Sequence, residues 1–202
     1  MLRFHATALA GLFAFAAAAA PAAAQLPGRS IALDAFHEPA HELFSEAPLQ
    51  VDGRYVVIRL AENRLYVMEG RHAVWSAPVG TGTGFRLERD GRAWEFDTPR
   101  GVFRVQRKEK DPVWIKPDWA FIEEGKPIPP LSSPLRREEG MLGTSAIYIG
   151  YQLALHGTNQ PELVLSPDPE QRRVSHGCIR LTNEDARTLY HLVDVGTPVL
   201  IY

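Results

Sequence analysis

Tyr55-Val56-Val57-Ile58-Arg59-Leu60, Arg64-Leu65-Tyr66-Val67-Met68 and Ala73-Val74-Trp75-Ser76-Ala77-Pro78-Val79 follow one another closely in the chain. Ala61-Glu62-Asn63 separates the first two runs, and Glu69-Gly70-Arg71 comes before the third. Three short β-branched, apolar runs with turn residues between them predict a β-meander. Downstream, Gly101-Val102-Phe103-Arg104-Val105-Gln106 alternates like a further strand. Ser145 to Leu155 holds one or two more strands with a bend at Gly150, and Pro198 to Tyr202 is placed to close the sheet.

Helical signals are fewer. Thr182 stands three residues before Asp185, as in a capping box. Ala186, Leu189, Tyr190 and Val193 then repeat at i, i+3, i+4 and i+7, until Gly196 and Pro198 stop the pattern. A shorter helix is expected from Asp118 to Glu124, ended by Gly125, and the Pro-rich stretch Gly125 to Pro134 reads as a loop. The expected fold is mostly β with one or two short helices, a β-sandwich or mixed sheet. No internal repeat is evident.

The N-terminus reads differently. A single Arg3, an apolar run from Ala6 to Ala20 and an Ala-x-Ala site ending at Ala24 have the form of a secretory signal peptide. The run is Ala-rich and shorter than the ~20 residues a membrane span needs, so residues 1–24 are expected to be removed. Residues 25–52 form an extension without an assigned role, and residues 53–202 form the domain. Loss of Arg3 takes the formal charge from −2 to −3, which gives no basic footprint for nucleic acid. No later segment is apolar enough to span a membrane. A protein of the periplasm or cell envelope is expected.

The chain has one cysteine. No intramolecular disulfide can form, and a lone thiol outside the cytosol is a candidate reactive group. It lies in Val174-Ser175-His176-Gly177-Cys178-Ile179-Arg180-Leu181. A free thiol near pKa 8.5 is only ~3% thiolate at pH 7, so a catalytic cysteine needs a base or a positive neighbour. His176 and Arg180 flank Cys178 at two residues on either side. In an extended segment all three would share a face, and local spacing therefore points to His176 as the base. Gly177 leaves main-chain N–H groups open to an oxyanion. A second candidate, His156, closes a strand-like run in Leu155-His156-Gly157-Thr158-Asn159. His156, His176 and Cys178 do not match a zinc signature, so no metal or other cofactor is expected. Gly80-Thr81-Gly82-Thr83-Gly84 lacks the Lys-Ser/Thr of a phosphate loop and reads as a flexible loop.

Ser175-His176-Gly177-Cys178-Ile179-Arg180 with Asn183 resembles the signature of the L,D-transpeptidase (YkuD-type) catalytic domain. The resemblance extends over roughly residues 53–202, through Asn63-Arg64-Leu65-Tyr66-Val67, Pro78-Val79-Gly80-Thr81-Gly82, Thr98-Pro99-Arg100-Gly101-Val102-Phe103, Pro112-Val113-Trp114 and Gly125-Lys126-Pro127-Ile128-Pro129. It continues in Gly150-Tyr151, His156-Gly157-Thr158-Asn159 and Gly196-Thr197-Pro198-Val199. The sequence departs from the pattern in a long 157–174 loop, an insertion from Phe85 to Glu95, and Met141-Leu142-Gly143 where Pro-Leu-Gly is usual.

The resemblance implies an enzyme of bacterial wall biogenesis acting on peptidoglycan stem peptides. Cys178 would attack the carbonyl of the third, diamino residue and expel D-alanine. The thioester would pass to an amine of another stem or of an anchored protein. His156 becomes the base, oriented by the Gly157 carbonyl, and His176 becomes a supporting residue. Gly177 and Cys178 N–H groups are the implied oxyanion donors. Arg180 is expected to meet a substrate carboxylate, with Ser175, Trp114, Tyr148 and Asn183 as further substrate-side candidates, of which Ser175 and Asn183 read more as structural than as substrate contacts. Water as acceptor would make the protein a carboxypeptidase or cross-link-cleaving hydrolase, and a silent wall-binding module is a third reading. A base of ordinary histidine pKa predicts activity falling as pH drops through roughly 6 to 7.

Overall fold

The computed structural model describes residues 53–202. The expected signal peptide and the whole of the extension lie outside the described residues. The meander is present as β1 (Arg54–Arg59), β2 (Arg64–Glu69) and β3 (His72–Pro78), antiparallel neighbours in that order. β15 (Pro198–Ile201) returns to lie parallel to β1, with Val56 opposite Val199 and Ile58 opposite Ile201. β7 (Gly101–Arg104) pairs antiparallel with β15, so the first sheet runs β3-β2-β1-β15-β7.

The second sheet is built on the hairpin β11 (Ser145–Gly150) and β12 (Leu153–His156). β8 (Arg107–Lys110) adds antiparallel to β11, and β14 (Ile179–Arg180) adds parallel to β12, giving the order β14-β12-β11-β8. Alternation along each strand explains how the two sheets meet. Val56, Ile58, Leu65, Val67, Val199 and Ile201 from the first sheet and Ile147, Ile149, Leu153, Leu155 and Ile179 from the second belong to one buried cluster. Each such side chain contributes about 1.5–3 kcal/mol by leaving water.

Helix α2 (Asn183–Leu192) starts where the capping residues place it: Thr182 Oγ1 accepts the Asp185 N–H at 3.1 Å. Ala186, Leu189 and Val193 enter the same core. Helix α1 (Asp118–Glu123) lies beside a two-stranded ribbon, β9 (Val113–Ile115) with β10 (Arg137–Glu139). Buried Arg136 ties them together, reaching Asp118 Oδ1 at 2.6 Å and the Lys116 carbonyl at 2.9 Å. Hydrogen bonds from Arg136, and then from Arg92, hold the Asp118 carboxyl below its ordinary range.

One reading from sequence is corrected. Gly80 to Gly84 is no flexible loop. β4 (Thr81–Gly82) is buried and pairs parallel with β13 (Arg173–Ser175), while Gly80 exchanges two 2.8 Å backbone hydrogen bonds with Arg180. The inserted stretch after it folds as a hairpin, β5 (Arg86–Arg89) and β6 (Arg92–Glu95), turning through Asp90-Gly91. The long 157–174 loop is also anchored: Asn63 Nδ2 donates to the Pro169 carbonyl at 2.6 Å, and Arg172 donates to the carbonyls of Glu62 at 2.6 Å and Ser166 at 2.5 Å.

Candidate active site

Parallel pairing of β12 with β14 brings the two distant candidates together. His156 lies opposite Arg180, and Leu155 opposite Ile179. Cys178 immediately precedes β14, at the level of Ala154, whose backbone hydrogen-bonds to the thiol. Leu155 and Ile179 point into the core, so alternation turns His156, Arg180 and Cys178 to the other face.

His156 is 4% exposed. Its Nδ1 lies 2.5 Å from the carbonyl oxygen of Gly157. A carbonyl can only accept, so Nδ1 carries the proton and Nε2 keeps its lone pair. The imidazole pKa is depressed from 6.5 to about 4, by burial first and by the Arg180 charge in a smaller part, with the Gly157 bond opposing both. The expectation of a base titrating between pH 6 and 7 is thereby corrected: His156 is neutral across that range.

Gly157 is held from behind. Its N–H donates to the Ser145 carbonyl at 3.1 Å. A Cβ at Gly157 or Gly143 would collide with Asn183 Oδ1, which itself accepts the Thr144 N–H at 3.1 Å. Only glycine at both positions lets the three backbones close on one amide. Asn183 at the head of α2 thus fixes the peptide whose carbonyl orients His156. Sequence reading placed Asn183 among the substrate-side candidates while reading it as structural, and it named Gly143 only within the Met141-Leu142-Gly143 landmark, with no role.

The loop before Cys178 departs from the extended form considered from sequence. Gly177 adopts φ 114°, with the Asp97 carbonyl oxygen 3.0 Å from where a Cβ would stand. Ser175, 1% exposed, closes the loop: its hydroxyl accepts the Gly177 N–H at 3.1 Å and donates to the Cys178 carbonyl at 2.5 Å. The Gly177 N–H is therefore committed within the loop, which leaves the Cys178 N–H as the oxyanion-donor candidate. Buried Thr98 braces the same loop, accepting the Gly82 N–H and donating to the Gly177 carbonyl, each at 2.9 Å.

The kink separates His176 from Cys178 and Arg180. The His176 ring stacks on Trp119 with centroids 4.2 Å apart, meets Phe96 edge-on at 4.4 Å, and places Nε2 3.0 Å from Glu123 Oε2. His176 is thus tied to α1. Trp114 touches this cluster through Trp119, at 6.0 Å. Trp119, Glu123 and Phe96 were not singled out from sequence, and Thr98 stood there only within a family landmark, because nothing local links them to the cysteine.

Cys178 keeps part of its surface exposed while protein atoms close around the sulfur, which lies 3.5 Å from the Gln152 carbonyl. Burial pushes its thiol pKa up, against the backbone of Ala154 and the charge of Arg180, which favour the thiolate. The resting pair is a neutral thiol and a neutral imidazole. Arg180 has no carboxylate within ion-pair distance among the described residues. Nor do the described residues contain a group of three or more His, Cys, Asp or Glu able to hold a metal ion. No helix among them is long and apolar enough to cross a membrane.

The described residues thus build a buried imidazole, oriented by the carbonyl that follows it, on the same sheet face as a lone cysteine in a braced loop. Residues 53–201 match the family model of the YkuD L,D-transpeptidase catalytic domain. The chain is 36% identical over 153 residues to the probable L,D-transpeptidase ErfK/SrfK of Salmonella typhimurium, covering 72% of this chain and 43% of that protein. It is 35% identical over 151 residues to the probable L,D-transpeptidase YbiS of Escherichia coli, covering 71% and 43%. The crystal structure of an L,D-transpeptidase from Xylanimonas cellulosilytica superposes with a TM-score of 0.53 at 25% identity, over 85% of this chain and 67% of that one. The chain belongs to the L,D-transpeptidase (YkuD) family. It spans less than half the length of the two curated relatives.

Proposed function

We propose that the protein is a peptidoglycan L,D-transpeptidase using Cys178 as nucleophile, exported to the periplasm or cell envelope after loss of residues 1–24. The observation that carries this reading is His156, its Nδ1 held 2.5 Å from the Gly157 carbonyl oxygen and its Nε2 left as the basic atom, on the same sheet face as Cys178.

Cys178 Sγ attacks the carbonyl carbon of the third residue of a tetrapeptide stem while His156 Nε2 takes the thiol proton. Moving the proton during attack avoids forming a free thiolate in a site that disfavours it. The Cys178 N–H is the donor to the developing oxyanion, and Arg180, beside it without a carboxylate partner among the described residues, takes a substrate carboxylate. Collapse of the tetrahedral intermediate breaks the C–N bond to the terminal D-alanine, whose nitrogen receives the proton from His156. An acceptor amine then attacks the thioester and gives its proton to Nε2, and the Cys178 sulfur leaves and is reprotonated. Ser175, Thr98 and Gly177 hold the nucleophile loop; Asn183, Gly143 and Gly157 hold the base; Glu123 and Trp119 fix His176 at the rim.

Incubating the purified protein with tetrapeptide-bearing muropeptides tests this. Free D-alanine together with joined stems is the expected product set, absent for Cys178→Ala. A shortened tripeptide stem alone would make water the acceptor, and identical products from the variant would refute the assignment.

A further inference from the structure

The turn between β11 and β12 reaches the sulfur of Cys178. Gly150 pairs with Leu153, so the turn holds two residues, Tyr151 and Gln152, and both are exposed. Gln152 adopts φ 56°. The other described non-glycine residues with positive φ are Asn63, Asp90 and Asp111. Asn and Asp enter the left-handed region with local help from a short polar side chain. Gln152 lacks that help, and its exposed side chain is not what holds it there.

What the conformation provides is a carbonyl. The Cys178 thiol donates to the Gln152 carbonyl oxygen at 3.5 Å. For a residue with a Cβ the left-handed region is a narrow well, so the direction of that carbonyl is well defined. The main chain of Ala154, two residues on, also bonds the sulfur and favours the thiolate. Tyr148, opposite Ala154 on β11, gives its hydroxyl proton to Glu109 Oε2 at 3.1 Å, with the Arg107 guanidinium over its ring. The hairpin therefore meets the sulfur with two main-chain groups of opposite effect.

We propose that Gln152 is a positioning residue for the nucleophile: its carbonyl, aimed by the left-handed turn, keeps the Cys178 thiol protonated between turnovers. A thiol has one proton. While that proton rests on the Gln152 oxygen it is not on His156 Nε2, so entry of a stem must turn the S–H from one acceptor to the other before attack. A hydrogen bond to the neutral form disfavours the thiolate, and the thiol is the form that neither attacks nor oxidises readily. The charged and titratable groups on the same sheet face are Arg180 and His156 in one row, and Tyr148 with Arg107 and Glu109 beyond the two alanines, Ala154 and Ala146. None of them is altered by a change at Gln152. The role rests on the acyl-transfer reading given above.

Alkylation of Cys178 by iodoacetamide, followed in the full chain from about pH 6 to 11, tests it. The midpoint reads protonation of the thiol, and the high-pH plateau reads access to the sulfur. Gln152→Val does not hold a positive φ without strain. Its carbonyl should swing away, lowering the midpoint so that labelling at pH 7 rises roughly three- to ten-fold. Gln152→Gly keeps the turn at no steric cost but loosens the carbonyl, and should move the midpoint part of the way. Gln152→Asn, which tolerates the left-handed region, should keep the parental midpoint. Parental midpoints in both Gln152→Val and Gln152→Gly, a change confined to the plateau, or a shift in Gln152→Asn as large as in Gln152→Val would overturn the role of Gln152 and leave the acyl-transfer reading intact. D-alanine release from a tetrapeptide stem unchanged by Cys178→Ala would overturn that reading instead, and the positioning role with it.

Discussion

His156 donates its Nδ1 proton to the carbonyl oxygen of Gly157, the next residue in the chain, at 2.5 Å. The bond fixes the tautomer and leaves Nε2 as the basic atom, and burial keeps the ring neutral with a pKa of about 4. A base that is neutral at rest and a thiol that is protonated at rest make proton transfer part of the attack.

The first consequence is the pH profile. Above pH about 4 His156 is unprotonated and able to accept; below it the base is lost. The kcat/KM for D-alanine release, which reports the free enzyme, should stay flat from pH 8 to about 5 and fall to half near 4. An acid limb centred between 6 and 7 would show that His156 titrates as an ordinary histidine.

The same shift couples folding to pH. The unfolded chain protonates His156 near 6.5 and the folded one near 4. Between those values the unfolded state binds more protons, so stability is full above 6.5 and declines as pH falls toward 4, by about 3 kcal/mol in all. Urea unfolding at pH 7 and pH 4.5 should show the decline, and His156→Gln should flatten it. Equal slopes in the two proteins would remove His156 as the cause.

Much of this fold was legible. The meander, the capped α2 and the β11–β12 hairpin each had a local pattern. β8 had none: Arg107-Lys108-Glu109-Lys110 carries no apolar residue. It is a sheet edge whose inner-face residue is Lys108, its amine reaching the carbonyls of Tyr190 and Val193 at 2.9 and 2.6 Å. The site was legible in part. Spacing alone favoured His176, since a kink at Gly177 is invisible without the Asp97 carbonyl that shapes it; only the family pattern pointed to His156. Asp90-Gly91 is a hairpin signal that stood in the sequence unread.

Gly157 and Asn183 should behave as one unit. Gly157→Ala drives a methyl against Asn183 Oδ1, at a cost of about 1–3 kcal/mol, and should lower activity at least 100-fold by displacing the carbonyl that orients His156. Adding Asn183→Ala removes the obstructing oxygen, so the double variant should regain part of the lost stability, a non-additive result. Additive losses in thermal unfolding would mean that the close packing does not matter.

His176 should act as support. His176→Ala removes the stack on Trp119 and the tie to Glu123, and roughly a ten-fold loss is expected, less than the 10²–10⁴-fold of a general base. The acid limb near pH 4 should not move. A loss matching that of His156→Ala, with the limb displaced, would reassign the base.

The central claim is that Cys178 carries the acyl group. Intact-protein mass measurement after brief mixing with a tetrapeptide stem, followed by acid quench, reads it directly. The account predicts an adduct of the stem minus D-alanine, mapped by digestion to Cys178 and absent from Cys178→Ala. D-alanine release without any adduct at Cys178, or the same adduct on the variant, would contradict it.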